Sequence, residues 1–249
     1  MTHNFILAIS TSSGVARVAA VQDDWQVLFQ FEISDYKSQS ALLLPSIHDR
    51  FQKSGLQPGH VKAIAVDVGP GGFTSLRTAC GVAQGLATAW DIPVVCLTSF
   101  ECMLPESTGS AENADQAEFT VLIDARLNEI YIASFSRPSL KSVGNTPGNA
   151  LDAAPGGTCW ASEPGLLAVS DLATVSGRPI CDRPVFQLRN AAGLDAELGE
   201  VSAVRLGQLA WEELAAGRRA APFECQPLYV RDKVAQTTSE RLALKHGAV

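Results

Sequence analysis

A run of about 18 uncharged apolar residues is missing from the chain, so no segment reads as a transmembrane helix. The first ten residues, MTHNFILAIS, lack a basic leader followed by a long apolar segment and a cleavage site, and the expectation is a cytoplasmic protein with no membrane contact. Paired cysteines are missing too. The six cysteines, at positions 80, 96, 102, 159, 181 and 225, include no CxxC pair and sit mostly among apolar neighbours, which argues for reduced packing residues over a zinc site or a disulfide framework. Histidine is scarce: the four are His3, His48, His60 and His246, and no two stand three or four apart as a helical metal pair would. His48 reads as a packing or capping residue at a helix surface. No Ser-His-Asp set, Cys-His pair or metal constellation can be assembled from spacing.

Positive charge is short as well. With 19 Lys and Arg against 26 Asp and Glu, net charge is -7, so the protein as a whole repels a phosphate backbone. An RNA substrate would need another chain to supply most of the grip. The exception is the tail from Tyr229 to His246, where Arg231, Lys233, Arg241 and Lys245 outnumber Asp232 and Glu240; it reads as a solvated terminal segment.

What is present is apolar: 46% of 249 residues, enough for a large core in one domain or two small lobes. The chain is organised around VDVGPGGFTSLRTACGVAQGLATAW, residues 66–90. Ile64, Ala65 and Val66 end a buried strand; Gly69, Pro70, Gly71 and Gly72 make a tight turn; Leu76, Ala79, Cys80, Ala83, Ala87 and Trp90 recur at helical spacing beyond it. Thr74 or Ser75 can cap the first turn of that helix. Such a turn presents amides and a positive dipole end to an anion, making Gly69, Gly71, Gly72 and Thr74 candidates for an anion loop. No Lys follows the glycines and the spacing is not that of a dinucleotide fingerprint, so a structural turn and an anion cradle both stay open.

In chain order, Phe5–Ile9 and Val15–Val21 predict a hairpin closed by the hydroxyl-rich turn Ser10–Gly14, and Trp25, Val27, Phe29, Phe31 and Ile33 alternate as one face of a third strand. Residues 38–54 predict a helix with Ala41, Leu44, Ile47, His48 and Phe51 on one face and Gly55 as its stop; Pro45 bends it or marks its start. Strands near Val61–Val66 and Pro93–Leu97 flank the central helix, giving a mixed sheet with helices packed on it. The polar stretch 105–118 marks a lobe boundary. Phe119–Ile123, the turn Asp124–Asn128 and Glu129–Phe135 then repeat the opening hairpin, which suggests a duplicated fold. Residues 138–157 read as loop, 158–190 give no clear pattern, and Val201–Ala216 predicts a helix, stopped by Gly217, that returns to the first lobe. The expected division is 1–104 for the N-terminal lobe, completed by the helix at 201–216, 105–200 for a smaller second lobe, and 217–249 for a terminal segment and tail.

Five segments carry a resemblance: ILAISTSSGVARVAAV, LLLPSI, GPGGFTSLRTACGVAQGLA, IDARLNEIYIA and PLYVRDKVA. Together, in this order and across nearly the whole chain, they resemble the TsaB (YeaZ) family. The resemblance implies an actin-like (ASKHA, ribonuclease-H-like) α/β fold of two lobes with mixed five-stranded sheets flanked by helices. It also implies a role in forming N6-threonylcarbamoyladenosine in the anticodon loop of tRNAs that read codons beginning with A. In that family the catalytic work is attributed to the paralogous TsaD, which holds a metal and the threonylcarbamoyl-adenylate, and TsaE is an ATPase that joins the two. This chain would then be a non-catalytic partner with no catalytic residue, cofactor or metal of its own, ATP and metal belonging to the partner subunits. It would form a homodimer alone and touch tRNA mainly through the complex.

Four positions, in three places, depart from the family pattern. Ser10 stands where the first strand of actin-like folds commonly ends in Asp, Gln39 where the family usually has His, and Gly72 and Ser75 where Ser and Gly are usual. Loss of the carboxylate at Ser10 argues against magnesium-nucleotide binding. The family pairs through its first two helices, which here implies Leu43, Ile47, Thr78, Gly81, Val82 and Gly85 at or beside the contact; by local pattern alone, Gly81 and Gly85 would equally serve packing inside the chain. The alternative function is an independent actin-like enzyme, an ATP-dependent transferase or a glycopeptidase, enlisting Asp67, Asp124, Arg126 and Glu129. Their simpler reading is that of strand-end and turn residues holding backbone groups.

Overall fold

A computed structural model of the chain describes residues 4–105, 118–136, 153–154 and 158–231. The lobe-boundary stretch 106–117, most of the loop expected at 138–157, and the tail from Asp232, with Lys233, Arg241 and Lys245, lie outside the described residues.

β1 (Phe5–Ser10) is apolar almost throughout and buried at every position, as a strand covered on both faces must be. It sits at the centre of the first sheet, whose order is β3-β2-β1-β4-β5. β2 (Ala16–Gln22) and β3 (Val27–Ile33) continue it antiparallel, and β4 (Val61–Asp67) and β5 (Val94–Leu97) run parallel to β1 on the other side. The expected meander and mixed sheet are both there, with one change: Trp25 lies in the turn before β3 at a φ of 70° and is not part of the strand face.

α1 (Gln39–Ser54) and α2 (Phe73–Trp90) cover one face of this sheet. Pro45 lies inside α1, so it does not mark the start, and Gly55 ends the helix in the left-handed conformation that favours glycine. The inward stripe of α1 is Gln39, Leu43, Ile47 and Phe51, spaced by four. The expected face was misphased: Ala41, Leu44 and His48 point outward. α2 buries Leu76, Ala79, Cys80, Ala83 and Ala87 as its spacing predicts, but its N-cap is Gly72 with no side-chain cap, so neither Thr74 nor Ser75 performs that role.

After α3 (Ser99–Met103) the second sheet repeats the first in topology. β6 (Glu118–Arg126) and β7 (Glu129–Ser136) form an antiparallel hairpin, and β11 (Arg178–Cys181) and β12 (Glu197–Leu198) extend it in parallel from β6, as β4 and β5 do from β1. Among the described residues the sheet has seven strands where five were expected. The place equivalent to β3 is split between β9 (Thr158–Trp160) and β10 (Gly165–Ala168), which pair with opposite ends of β7, and β8 (Ala153–Ala154) adds to β9. α4 (Arg183–Ala192) follows β11 as α2 follows β4, with Asp182 capping it.

α5 (Ala203–Ala215) returns to the first sheet and packs on β1 and β2. Gly207 permits the approach, since a Cβ there would stand 2.7 Å from Val21 Cγ2. Trp211 Nε1 donates to the Val21 carbonyl at 2.9 Å. One core cluster unites Ile6, Ala8, Val95 and Leu97 of the first sheet with Phe119, Val121 and Phe135 of the second, through Phe100, Leu206 and Leu209. The layers are therefore α1 and α2, first sheet, α3 and α5, second sheet, α4.

Candidate functional site

Two places carry the sequence candidates: the turn after β4, and the outer faces of α1 and α2. At the turn, Asp67 ends β4 fully buried and collects the surrounding donors. Ser10 Oγ donates to its Oδ2 at 2.8 Å and Ser12 Oγ to the same oxygen; Ser99 Oγ and the Gly69 amide donate to Oδ1 at 2.7 and 3.0 Å. Burial raises the Asp67 carboxyl above the ordinary carboxylate value, against the opposing hydrogen bonds from Ser12, Ser99, Gly69 and Ser10.

The glycines are used by the chain itself. Gly69 has a φ of 105°, which disfavours any side chain, and its carbonyl accepts from the Ser99 amide at 2.7 Å. A Cβ on Gly71 would lie 2.6 Å from the Ser12 carbonyl oxygen, and the Gly72 amide donates to that oxygen at 3.3 Å. Thr11 Oγ1 donates to the Ser75 carbonyl at 2.8 Å. The hydroxyl-rich turn after β1 and the glycine turn after β4 thus lie in backbone contact. Thr74 is exposed, and its carbonyl accepts from Thr78 Oγ1 at 3.1 Å.

The second lobe uses the same brace. Asp182, at the end of β11, accepts from the Asp124 amide at 2.9 Å and from the Val185 amide at 3.1 Å, and burial raises its carboxyl as well. Asp124 in turn accepts from the Arg126 amide at 2.8 Å inside the hairpin turn, where Arg126, Leu127 and Asn128 all have positive φ. Glu129 pairs with Arg231. Asp67, Asp124, Arg126 and Glu129 therefore hold strand ends and turns, and they are not gathered into one acid-base centre. Among the described residues, no group of three or more His, Cys, Asp and Glu side chains is arranged to hold a metal ion.

On the helices, Leu43 and Ile47 are 0% and 2% exposed and belong to the core, which corrects their assignment to a partner contact. Leu42 and Leu44, each 47% exposed, are the outward leucines of α1. The misphasing has a clear cause: Gln39 is a polar member of the buried stripe, its Nε2 donating to the Gly14 carbonyl at 2.6 Å, and a reading by hydrophobicity starts one register off. On α2, Gly81 and Gly85 are exposed, Thr78 and Val82 half-buried. A Cβ added at Gly81 or Gly85 would meet nothing within 4 Å. Packing within the described residues therefore does not require either glycine.

The model of the family TsaD, tRNA N6-adenosine threonylcarbamoyltransferase, matches residues 36–174, more than half of the chain. The TsaB tRNA threonylcarbamoyladenosine biosynthesis protein of Haemophilus influenzae is 28% identical over 230 residues, covering 92% of this chain and 94% of that protein. The chain belongs to the TsaD family, in its TsaB (YeaZ) branch. TsaB of Escherichia coli is 31% identical over 132 residues, covering 53% of this chain and 55% of that protein. The YeaZ structure from Pseudomonas aeruginosa superposes with a TM-score of 0.66 at 21% identity, over 91% of this chain and 99% of that one. The fold is the two-lobed actin-like α/β arrangement of the TsaB branch.

Two of the TsaB-like segments meet in space. Arg77, from GGFTSLR, lies with its guanidinium 3.8 Å from the Phe73 ring centroid and donates through Nε to the Tyr229 hydroxyl of PLYVR at 2.9 Å. Arg231, two residues on, donates to the Ala125 carbonyl at 3.1 Å and to Glu129, tying the terminal segment to the second-lobe hairpin. Composition alone had grouped Arg231 with a solvated tail, and only its distant partners reveal this use. Two departures from the TsaB pattern are also absorbed: Ser10 braces Asp67 and Gln39 braces the first turn, whereas the buried Ser75 Oγ has no hydrogen-bond partner among the described residues.

Proposed function

We propose that the chain is the non-catalytic partner that binds and supports a TsaD-type subunit in forming N6-threonylcarbamoyladenosine on tRNA. The observation that carries the docking site is the open space above Gly81 and Gly85, beside the outward leucines of the neighbouring helix. Glycine in a helix interior costs up to about 1 kcal/mol relative to alanine. Two such residues with no use inside the described core fit the close approach of another helix. The surface so defined is Leu42, Leu44, Thr78, Gly81, Val82 and Gly85, which forms a homodimer alone and a heterodimer when the TsaD-type subunit is present. A TsaE-type ATPase joins the pair, and tRNA is gripped mainly by the complex, since this chain carries a net charge of -7 and commits Arg231 to Glu129. The chain acts in the cytoplasm.

The residues at the glycine turn do not fit a magnesium nucleotide. Both oxygens of Asp67 are bonded, burial disfavours its charge, and Ser12 already approaches Gly71 closely. ATP and metal therefore belong to the partner subunits, and the glycopeptidase or transferase alternative loses its acid-base pair. Two assays check this. The isolated chain is expected to show no ATP binding by calorimetry at 100 µM protein (roughly, Kd weaker than about 1 mM) and no hydrolysis. Mixed with TsaD-type and TsaE-type subunits, it is expected to be required for tRNA modification. Micromolar, magnesium-dependent ATP binding by the isolated chain would overturn the passive role, as would full modification without the chain.

A further inference from the structure

Helical spacing divides the surface of α2 into strips. Val82, Leu86 and Trp90 run along the α1 side, where the rings of Trp90 and Phe51 lie with centroids 5.6 Å apart. Arg77 and Gln84 mark the opposite side, and both are held by the terminal segment that follows α5. Gln84 Nε2 donates to the Cys225 carbonyl at 2.7 Å, and Arg77 Nε donates to the Tyr229 hydroxyl at 2.9 Å. Gly81 and Gly85 lie on the exposed strip between these sides. The glycines are therefore flanked twice, by α1 and by residues 219–231.

The second flank is braced along its length. Val94 and Ala220 exchange backbone bonds at 3.1 and 2.9 Å, and the Leu228 amide donates to the Val68 carbonyl at 2.8 Å. The short turn Pro222–Glu224 is closed from both ends: the Glu224 amide donates to the Ala221 carbonyl at 2.9 Å, and the Glu224 carboxylate accepts from the Ala221 amide at 2.6 Å. From this turn Phe223 stands 75% exposed, more than any other large apolar side chain among the described residues. Beside it opens a cavity of about 730 Å³ whose lining includes Thr88, Asp91 and Ile92 at the C-terminal end of α2. Thr88 is exposed and lies one turn beyond Gly85, so the cavity adjoins the glycine strip.

A lone exposed apolar side chain needs no explanation. Phe223 is not alone: it projects from a fixed backbone, borders a cavity, and stands beside a helix face whose two glycines the described core does not use. An aromatic ring on a rigid support loses little freedom on docking, which is the property of an interface anchor. We propose that residues 219–231 form a second wall of the pairing face and that Phe223 is the anchor on it that seats in the TsaD-type subunit. The inference rests on the reading that this subunit docks over Gly81 and Gly85, and it adds the direction in which the contact extends, across Thr88 to Phe223. The partner chemistry is an apolar recess for the Phe223 ring and an apolar side chain that enters the cavity beside Ile92. The match to the TsaD family model ends at residue 174, so α1 and α2 fall inside it and this wall outside it. Choosing between similar partners needs an element that the shared helices do not supply, and Phe223 is such an element.

The test is the Kd of the full chain with the TsaD-type subunit of the same organism, read by sedimentation for the unaltered chain and its variants. Phe223→Ala is expected to raise that Kd at least about tenfold, while its Tm stays within about 2 °C of the unaltered chain because the side chain is mostly exposed. Phe223→Leu should recover most of the loss. Leu127→Ala removes an apolar side chain that is 63% exposed on the second-lobe hairpin, and it should change nothing. If the unaltered chain does not pair, or if Gly81→Leu pairs as tightly, the docking face itself is wrong and the inference falls with it. If both behave as expected but Phe223→Ala binds within about twofold of the unaltered chain, or Leu127→Ala weakens pairing as much, the second wall alone is overturned. Loss of the homodimer with the heterodimer unchanged would assign Phe223 to a second copy and overturn it as well.

Discussion

Replacing Gly81 with leucine is expected to abolish the pairing of the chain and, compared at concentrations where both proteins are monomers, to raise its Tm. The two effects have opposite sign because they come from different surfaces. Within the described residues a Cβ at this exposed position meets nothing within 4 Å, so the folded monomer should tolerate a side chain there. Helix propensity then adds up to about 1 kcal/mol of stability, or roughly 2–4 °C in Tm for a chain of this size. At a helix-to-helix contact, the same side chain overpacks at about 1–3 kcal/mol per copy. A homodimer carries two copies, so its Kd should rise by about 30-fold or more. Gly85→Leu should behave alike. Thermal melts and sedimentation separate the explanations: a lower Tm would mean that the glycines serve internal packing, and a higher Tm with unchanged pairing would move the interface elsewhere.

Asp67→Ala is expected to be the most damaging single change in the first lobe. It strips the acceptor from three hydroxyls and one amide, the groups of Ser10, Ser12, Ser99 and Gly69 that join β1, β4, the glycine turn and α3. Ser99 keeps the Pro70 carbonyl at 3.0 Å and Ser12 is half-buried, but leaving the Ser10 hydroxyl and the Gly69 amide buried and unpaired costs roughly 3–5 kcal/mol, or about 10 °C in Tm. Asp67→Asn should cost only about 1 kcal/mol, since an amide oxygen still accepts and the hydroxyls can turn to accept from its NH2. The raised carboxyl agrees with that tolerance, the neutral form being the one that burial favours. If Asp67→Ala melted within about 2 °C of the unaltered chain, the brace would be wrong. Equal losses in the alanine and asparagine variants would mean that the charge itself is required.

The parts of the fold written in short-range periodicity were legible. The β1–β2 hairpin, the mixed first sheet and the inward stripe of α2 follow from alternation and from spacing by three and four, and the second hairpin announced the duplication. The split of the β3-equivalent place into β9 and β10 was not legible, because each piece is three or four residues long and stable only against β7. The phase of α1 failed at Gln39, whose burial depends on the carbonyl of Gly14, twenty-five residues away. Long-range polar partners were also hidden: nothing near Asp67 in sequence points to Ser99, and nothing near Arg231 points to Glu129. The glycine turn was left between two uses by local chemistry, and it took the position of Ser12 against Gly71 to show that the chain itself fills the close approach.

The central claim is that this chain works by pairing with a TsaD-type subunit through the outer faces of α1 and α2. Sedimentation velocity of the purified chain mixed with the TsaD-type subunit of the same organism tests it most directly. The homodimer should give way to a single heterodimer on equimolar mixing, and the Gly81→Leu variant should leave two separately sedimenting proteins. Unaltered chain that sediments apart from the TsaD-type subunit, or a Gly81→Leu variant that pairs as tightly as the unaltered chain, would contradict it.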